Sequence, residues 1–491
     1  MKGNKKNKQV SQHSRRNFLR NSLTLAAGFY IVPRHVLGGR GYIAPSDRLI
    51  VAGIGAGGKG ESDLHEFYKS GLAEVAFLCD VDDRQSATSR GRFPKAKYYK
   101  DYREMLEKEH QNFDAVSVST PDHNHAVQAM AAMQLGKHVY VQKPLAHDIY
   151  EARMLTEAAL KYKVVTQMGN QGSSGDGVRQ LMEWYNAGII GKVTDVYVWT
   201  DRPVWPQGIA WPTKTVQAPA ELDWNLWLGT APKKDYVENI APFNWRGWWD
   251  YGTGALGDMG CHLIEAPFRV LGLGYPTEAT CSVSSYYTGP FRRGYFPDSA
   301  PAASHVTLKF ENKKSKDHTI LHWMDGGIQP ERPDELGPNE IMGDGGNGVI
   351  FVGTKGKMMC DTYGENARLL PISKNDEVKV PSTIARVPGG AGGHYKQWVE
   401  ACIAGYNSTA AQHLSSPFSI AGPLTETVLM GNLAIRSYDV KKESATEPGK
   451  IEYPGRGIKL LWDGGNMKIT NFEEANQFVK RKYRDGWSLG I

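Results

Sequence analysis

Apolar residues in the first third of the chain fall into short runs separated by amphipathic stretches. Residues 48–55 contain Leu49-Ile50-Val51-Ala52-Gly53-Ile54, an unbroken apolar run that reads as a buried strand. A helical stretch follows, then a second strand over 74–78 that runs out at Asp80. The alternation continues with a helix near 102–108, strand 115–119, helix 122–135, strand 137–141, helix 148–162 and strand 164–168. Strands alternating with helices predict an α/β fold with a doubly wound parallel sheet.

The turn after the first strand carries G-x-G-x-x-G at Gly53, Gly55 and Gly58. Between a strand and a helix, this spacing predicts a Rossmann dinucleotide site. Gly53 is expected to make the tight turn and Gly55 to let the backbone approach a pyrophosphate. Gly58 is expected to permit close helix packing, with the helix N-terminus facing the phosphates. Asp80, 22 residues beyond Gly58, is placed to accept both ribose hydroxyls. A carboxylate there repels a 2′-phosphate and so favours NAD, while Arg84 nearby keeps NADP open.

Length and composition add bounds. With 491 residues and 41% apolar side chains, there is enough material for two or three packed domains. No apolar run is long enough to cross a membrane, so no stable membrane anchor is expected. Nine basic side chains and no acid lie within residues 1–40, which turns the +6 of the whole chain into −3 for the rest. Without a basic body, a nucleic-acid partner is not expected. The five cysteines, at 79, 261, 281, 360 and 402, have neither C-x-x-C spacing nor an even count, and no metal is expected.

The basic head is followed by Ser14-Arg15-Arg16-Asn17-Phe18-Leu19 and a mildly apolar stretch to Val32. This layout resembles a twin-arginine export signal and predicts an exported, periplasmic protein. The expected organisation is a leader over 1–40, an NAD-binding domain over 46–169, a second domain over 170–440 and a tail over 441–491 that packs on the body or on a neighbouring subunit. Within the tail, residues 472–482 read as helical.

Ser119-Thr120-Pro121-Asp122-His123-Asn124-His125 and Gln142-Lys143-Pro144-Leu145 resemble motifs of the Gfo/Idh/MocA oxidoreductases. A third motif of that family, an Asp and a His one helical turn apart, falls on Asp258 and His262 in Gly257-Asp258-Met259-Gly260-Cys261-His262. The chain departs from the usual Glu-Lys-Pro at Gln142. The resemblance implies a C-terminal α/β domain whose open, largely antiparallel sheet walls the substrate cleft. It implies Thr120, Pro121, His125 and Gln142 near the cofactor and an oligomer, dimer or tetramer. It also implies Lys143, Asp258 and His262 as catalytic residues. Oxidising an alcohol requires a base for the hydroxyl proton, for which His262 has a suitable ordinary pKa. It also requires a cation to hold the reacting oxygen, which suits Lys143. Read from spacing alone, Asp258 and His262 could equally be a helix-surface ion pair.

Eight of the thirteen tryptophans fall in residues 199–249, interleaved with Asp201, Arg202, Arg246 and Asp250. Flat rings match the C–H faces of sugars and charged groups match their hydroxyls. Arg202, Trp205 and Arg246, with Asn170 and His394, are the expected substrate contacts. Together these features predict an enzyme that oxidises a ring hydroxyl of a sugar or glycoside with tightly held NAD. A redox-neutral NAD-dependent glycosidase and a non-catalytic, NAD-loaded sugar-binding protein are the alternatives.

Overall fold

A computed structural model of the chain describes residues 47–311 and 317–490. The leader assigned to 1–40 lies outside the described residues. Six strands, β1 (Leu49–Ile54), β2 (Ala73–Cys79), β3 (Lys97–Tyr99), β4 (Ala115–Val118), β5 (His138–Val141) and β6 (Thr166–Met168), form a parallel sheet in the order β3-β2-β1-β4-β5-β6. The connecting helices are α1 (Lys59–Lys69), α2 (Asp83–Arg92), α3 (Tyr102–Glu109), α4 (His125–Gln134) and α5 (Ile149–Tyr162). Val51, Ala52, Val116, Val118, Val139 and Val141 have no exposed surface, as expected of strands covered on both faces. Strand order reverses between β1 and β4, which opens a crevice at their carboxyl ends.

Two elements of this sheet, α2 and β3, have no apolar signature. The α2 sequence Asp-Arg-Gln-Ser-Ala-Thr-Ser-Arg-Gly-Arg buries only Ser86 and Ser89. It is fixed instead by its cap, the Asp82 side chain accepting from the Arg84 amide, and by Ser89 Oγ donating to the Ala56 carbonyl at 2.6 Å.

The second sheet has nine strands and is mixed. Val193–Trp199 is central, paired in parallel with His318–Met324 on one side and antiparallel with Gly348–Gly353 on the other. All the other pairings are antiparallel. In Ser304–Glu311, Val306, Leu308 and Phe310 point into the core and the residues between them are partly exposed. The helix Phe418–Tyr438 packs on this sheet and also on α5. A shorter helix, His394–Ala404, covers the nucleotide sheet: Tyr395, Trp398 and Val399 pack with Val51, Phe67 and Tyr140.

The tail supplies the edge strands Leu460–Asp463 and Lys468–Ile469. The helix expected over 472–482 is corrected to a short 3₁₀ segment, Glu473–Phe478, followed by extended chain. Here backbone groups go to tertiary partners rather than to a helical ladder. The Tyr150 amide donates to the Val479 carbonyl, and the Arg481 amide donates to Asp148 Oδ2 at 3.0 Å. The Arg481 guanidinium pairs with Glu151 Oε1 at 2.7 Å, and Tyr483 Oη donates to the same oxygen at 2.6 Å. Both carboxylates are buried and sit at the capping box that starts α5.

Arg481→Met therefore removes the cation that faces two buried acids, Asp148 and Glu151. It is expected to lower stability by about 3–5 kcal/mol, read as a lower urea midpoint at unchanged slope. A loss within experimental error would show that the tail does not anchor the nucleotide domain.

Candidate active site

A cleft of about 200 Å³ runs along the carboxyl ends of β1, β2, β4 and β5. Of the residues expected at the site, Gly55, Gly58, Asp80, Thr120, Pro121, Gln142, Lys143, Arg246 and Asp258 line it. Lys59, Asp82, Trp227, Trp245 and Trp487 also line it and were not anticipated.

The glycines divide their work differently from the expectation. Gly53 lies inside β1, and a Cβ there would meet the Leu64 side chain at 2.8 Å, so Gly53 serves packing of α1 rather than the turn. Gly55 turns the chain at φ +81°, and its Cβ would meet the Ser119 backbone at 2.7 Å. Gly58 is required by φ +53° and faces open space. The close helix approach falls on Gly60, where a Cβ would overlap the Gly55 carbonyl oxygen.

Asp80 Oδ2 accepts from the amides of Ala56 and Gly57 at 2.8 and 3.0 Å, which ties the end of β2 to the glycine loop. Burial lifts its carboxyl to about 6. The Arg84 guanidinium is committed to Asp82 through two hydrogen bonds of 2.9 and 2.6 Å. Asp80 lines the cleft while the nearby cation is occupied, an arrangement suited to an unphosphorylated ribose.

Beneath the loops lies Asp63, fully buried. Its Oδ1 accepts from Lys59 Nζ at 2.6 Å and Tyr395 Oη at 2.9 Å; its Oδ2 accepts from Ser119 Oγ at 3.0 Å and Gln142 Nε2 at 2.8 Å. A glutamate at 142 would set two carboxylates against each other. Glutamine donates instead, which accounts physically for the departure at this position.

At the far end of the cleft, Lys143 Nζ donates to Asp258 Oδ1 and to the Asp258 carbonyl, both at 2.7 Å. Arg246 Nε is 3.3 Å from the same carboxylate oxygen. Burial alone would raise the Asp258 carboxyl, but Lys143 and Arg246 hold it below its ordinary value. His262, one turn along the helix Gly254–Leu263, is buried with Nδ1 unpartnered. The expectation of an ordinary imidazole is corrected: burial, with the Lys143 charge added, pushes it down to about 3. His262 is therefore held neutral through the physiological range, and it stands behind the cleft wall rather than on it.

Several expected contacts lie elsewhere. His125 is buried with Nδ1 2.8 Å from the Pro144 carbonyl and Nε2 2.7 Å from the Thr120 carbonyl, so it clamps two motif loops rather than lining the cleft. Asn170 is interior and donates to Glu265 Oε2 at 3.0 Å. His394 is interior, between Ser174 Oγ at 2.7 Å and the Met168 carbonyl at 2.9 Å. Trp205 is buried, with Nε1 donating to Gln207 at 2.9 Å and its ring against Phe243. Arg202 is partly exposed and paired with Asp201 at 2.6 Å, off the cleft wall. Five of the eight tryptophans in residues 199–249, Trp211, Trp224, Trp227, Trp245 and Trp248, pack in a core of their own with Tyr236 and Tyr251, because rings this large bury more surface by packing together than by facing water.

Tyr363 was missed altogether. It sits in a loop at φ 64°, ψ 14°, a backbone state that disfavours a bulky side chain. Its ring stands edge-on to His262 at 4.7 Å between centroids. Gly172 makes room for it, since a Cβ there would meet the Tyr363 backbone at 2.8 Å. Among the described residues no group of three or more His, Cys, Asp or Glu side chains could hold a metal ion, and no helix is long and apolar enough to cross a membrane.

Residues 49–170 match the NAD-binding Rossmann domain of the Gfo/Idh/MocA oxidoreductases, and residues 179–283 match the C-terminal alpha/beta domain of the same family. Together the two matches cover a little under half of the chain, and over those residues it resembles the Gfo/Idh/MocA oxidoreductases in both domains. It is 26% identical over 204 residues to a glycosyl hydrolase family 109 protein of Shewanella pealeana, covering 37% of this chain and 44% of that one. It is 28% identical over 163 residues to an alpha-N-acetylgalactosaminidase of Shewanella oneidensis, covering 31% of this chain and 35% of that one. These matches span less than half the length of the relatives. Two solved structures share the fold. One is levoglucosan dehydrogenase in complex with NADH (TM-score 0.52, 16% identity, 79% of this chain and 98% of that one). The other is the WlbA dehydrogenase of Bordetella pertussis in complex with NADH and UDP-GlcNAcA (TM-score 0.53, 14% identity, 85% and 99%). NAD is the cofactor of this family's N-terminal domain, and the cleft fits it: a glycine loop with no side chain in the way, an acid at the ribose end, and Lys143 at the far end.

A pH titration of the His262 ring by NMR checks its environment. The folded protein is expected to keep it neutral down to about pH 4, against an unfolded value near 6.5. Its contribution to stability is full above that unfolded value and is lost as pH falls toward the folded one. Tyr363→Ala lets water reach the ring and should move its midpoint up by about one pH unit or more; an unmoved midpoint would remove Tyr363 from the site.

Proposed function

We propose that this protein is an NAD-dependent oxidoreductase acting on a ring hydroxyl of a sugar or glycoside. The observation that carries the reading is the Lys143 ammonium and Asp258 carboxylate, 2.7 Å apart, facing a dinucleotide cleft with neutral His262 beside them. Bound NAD supplies the hydride acceptor. Lys143 exchanges part of its pairing with Asp258 for the substrate oxygen and stabilises the alkoxide as it develops. His262 takes the hydroxyl proton, and the adjacent Asp258 carboxylate favours the imidazolium that results. Arg246 keeps Asp258 charged while Lys143 is engaged. Trp245 and Trp227, on the cleft wall, offer flat faces to a sugar ring.

The named relatives support a carbohydrate substrate. The dehydrogenases of known structure and the glycosyl hydrolases of Shewanella all carry sugar-processing names. The hydrolase similarity favours a second reading, a redox-neutral glycosidase. In that cycle, oxidation of a ring hydroxyl acidifies the neighbouring C–H, the glycosidic bond eliminates, water adds and the hydride returns. We further place the protein outside the cytoplasm, on the Arg15-Arg16 leader. Beyond the reach of a cellular NAD pool, turnover requires a cofactor that stays bound, which suits either cycle.

Mixing purified protein with a panel of glycosides and following the reduced-nicotinamide absorbance separates the readings. A signal that persists until an acceptor is added marks the oxidoreductase. A transient signal with sugar released marks the glycosidase. No signal with any glycoside, with or without added NAD, sinks both. Lys143→Ala is expected to lower the rate by about 10²-fold or more with cofactor binding retained.

A further inference from the structure

A second cavity, of about 520 Å³, shares no lining residue with the dinucleotide cleft. It opens where the strand Glu278–Val283, the hairpin over 287–293 and the last turn of the helix Phe418–Tyr438 meet. Its wall combines aromatic rings with cations. Arg293, Arg436 and Lys441 are the basic residues of the lining and Asp439 its single acid. That acid is already engaged by Arg456 at 2.7 Å, so the wall carries an excess of positive charge.

Arg436 is the unusual group. Its guanidinium lies against the Phe478 ring at 4.4 Å and 5.5 Å from the Trp249 ring centre. Among the described residues no oxygen accepts a hydrogen bond from it. Asp250 and Asp148 act on it only at a distance, since Asp250 pairs with Lys234 at 2.6 Å and Asp148 accepts from Arg481. Burial pushes the guanidinium down to about 10. The guanidinium is partly covered and has no protein acceptor, so its donors are open to an acceptor that enters the cavity. A carboxylate or sulfate fits that fork through paired hydrogen bonds. Trp249, Tyr295 and Phe478 add aromatic surface to the wall, each with one face toward a cation, Arg436 or Lys441, and aromatic surface of this kind packs on the C–H side of a sugar.

We propose that this cavity is a binding site for an acidic sugar residue, its carboxylate or sulfate held by Arg436 and its ring by the aromatic wall. The site goes beyond the redox reading and does not depend on it, because binding here involves none of the cleft residues. Calorimetric titration of the full-length protein with D-glucuronate, D-glucose 6-sulfate and D-glucose tests it without turnover. At least one anionic sugar is expected to bind about tenfold or more tighter than glucose, and the tighter of the two identifies the acidic group. Inorganic sulfate is expected to compete. Arg436→Met should weaken the anionic sugar by about tenfold or more while the nicotinamide signal of the cleft is unchanged. If that variant does not fold, Arg293→Gln and Lys441→Gln should each weaken binding, and added salt should weaken it in the wild type. Equal affinity for glucose, no binding of either anionic sugar, or an Arg436→Met protein that changes only its oligomeric size would overturn the proposal.

Discussion

Everything at the active site depends on one ion pair. Lys143 comes from the end of β5 in the nucleotide domain, and Asp258 comes from a helix that begins far along the chain. Their contact fixes where the second sheet and its helices stand against the cofactor cleft. A pair this covered owes little to Coulomb attraction after desolvation; what keeps it is the completeness of its hydrogen bonding. Lys143 meets both the carboxylate and the carbonyl of Asp258, and Arg246 shares the load. The cations that secure the interface also hold the Asp258 carboxyl down, whereas His262 is kept neutral chiefly by burial, with the Lys143 charge adding to it and Asp258 opposing it.

Other buried charges repeat this arrangement at other joints. Asp63 gathers Lys59, Ser119, Gln142 and Tyr395, and so joins the glycine loop to two motif loops and to a helix from the second half of the chain. Arg481 fastens the tail to the start of α5. Arg153 meets Glu426 through two hydrogen bonds of 2.8 Å where α5 crosses the long helix. Apolar contact supplies the area at these crossings, and the polar clusters specify the register.

The sequence was informative where one physical demand dominates. Strands buried on both faces must be continuously apolar, so β1, β4 and β5 could be read directly. The glycine spacing and Asp80 were legible because a dinucleotide cleft restricts what can stand there, while Lys143 and Asp258 were singled out by resemblance and the structure brings them together. Reading failed where tertiary partners replace local pattern. Helix α2 has no apolar stripe, and the segment after Val479 spends its backbone groups on α5. Trp205, Asn170 and His394 have the chemistry of sugar contacts, but burial and hydrogen bonding commit them to the interior. Tyr363 and Trp487 gave no local signal, since each reaches the site from a distant loop or tail.

Trp487 has a consequence for the order in which the site comes into being. Its ring stands on the cofactor cleft against Tyr102 and under the Arg103 guanidinium, 4.7 Å away. Strands β1 to β6 are complete by residue 168, although the helix His394–Ala404 that covers their sheet comes much later in the chain. The wall that Trp487 provides arrives more than three hundred residues later. A dinucleotide captured early would sit in an open groove and exchange freely. That side of the cleft is closed only once the tail has been made, long after the strand that carries the glycine loop.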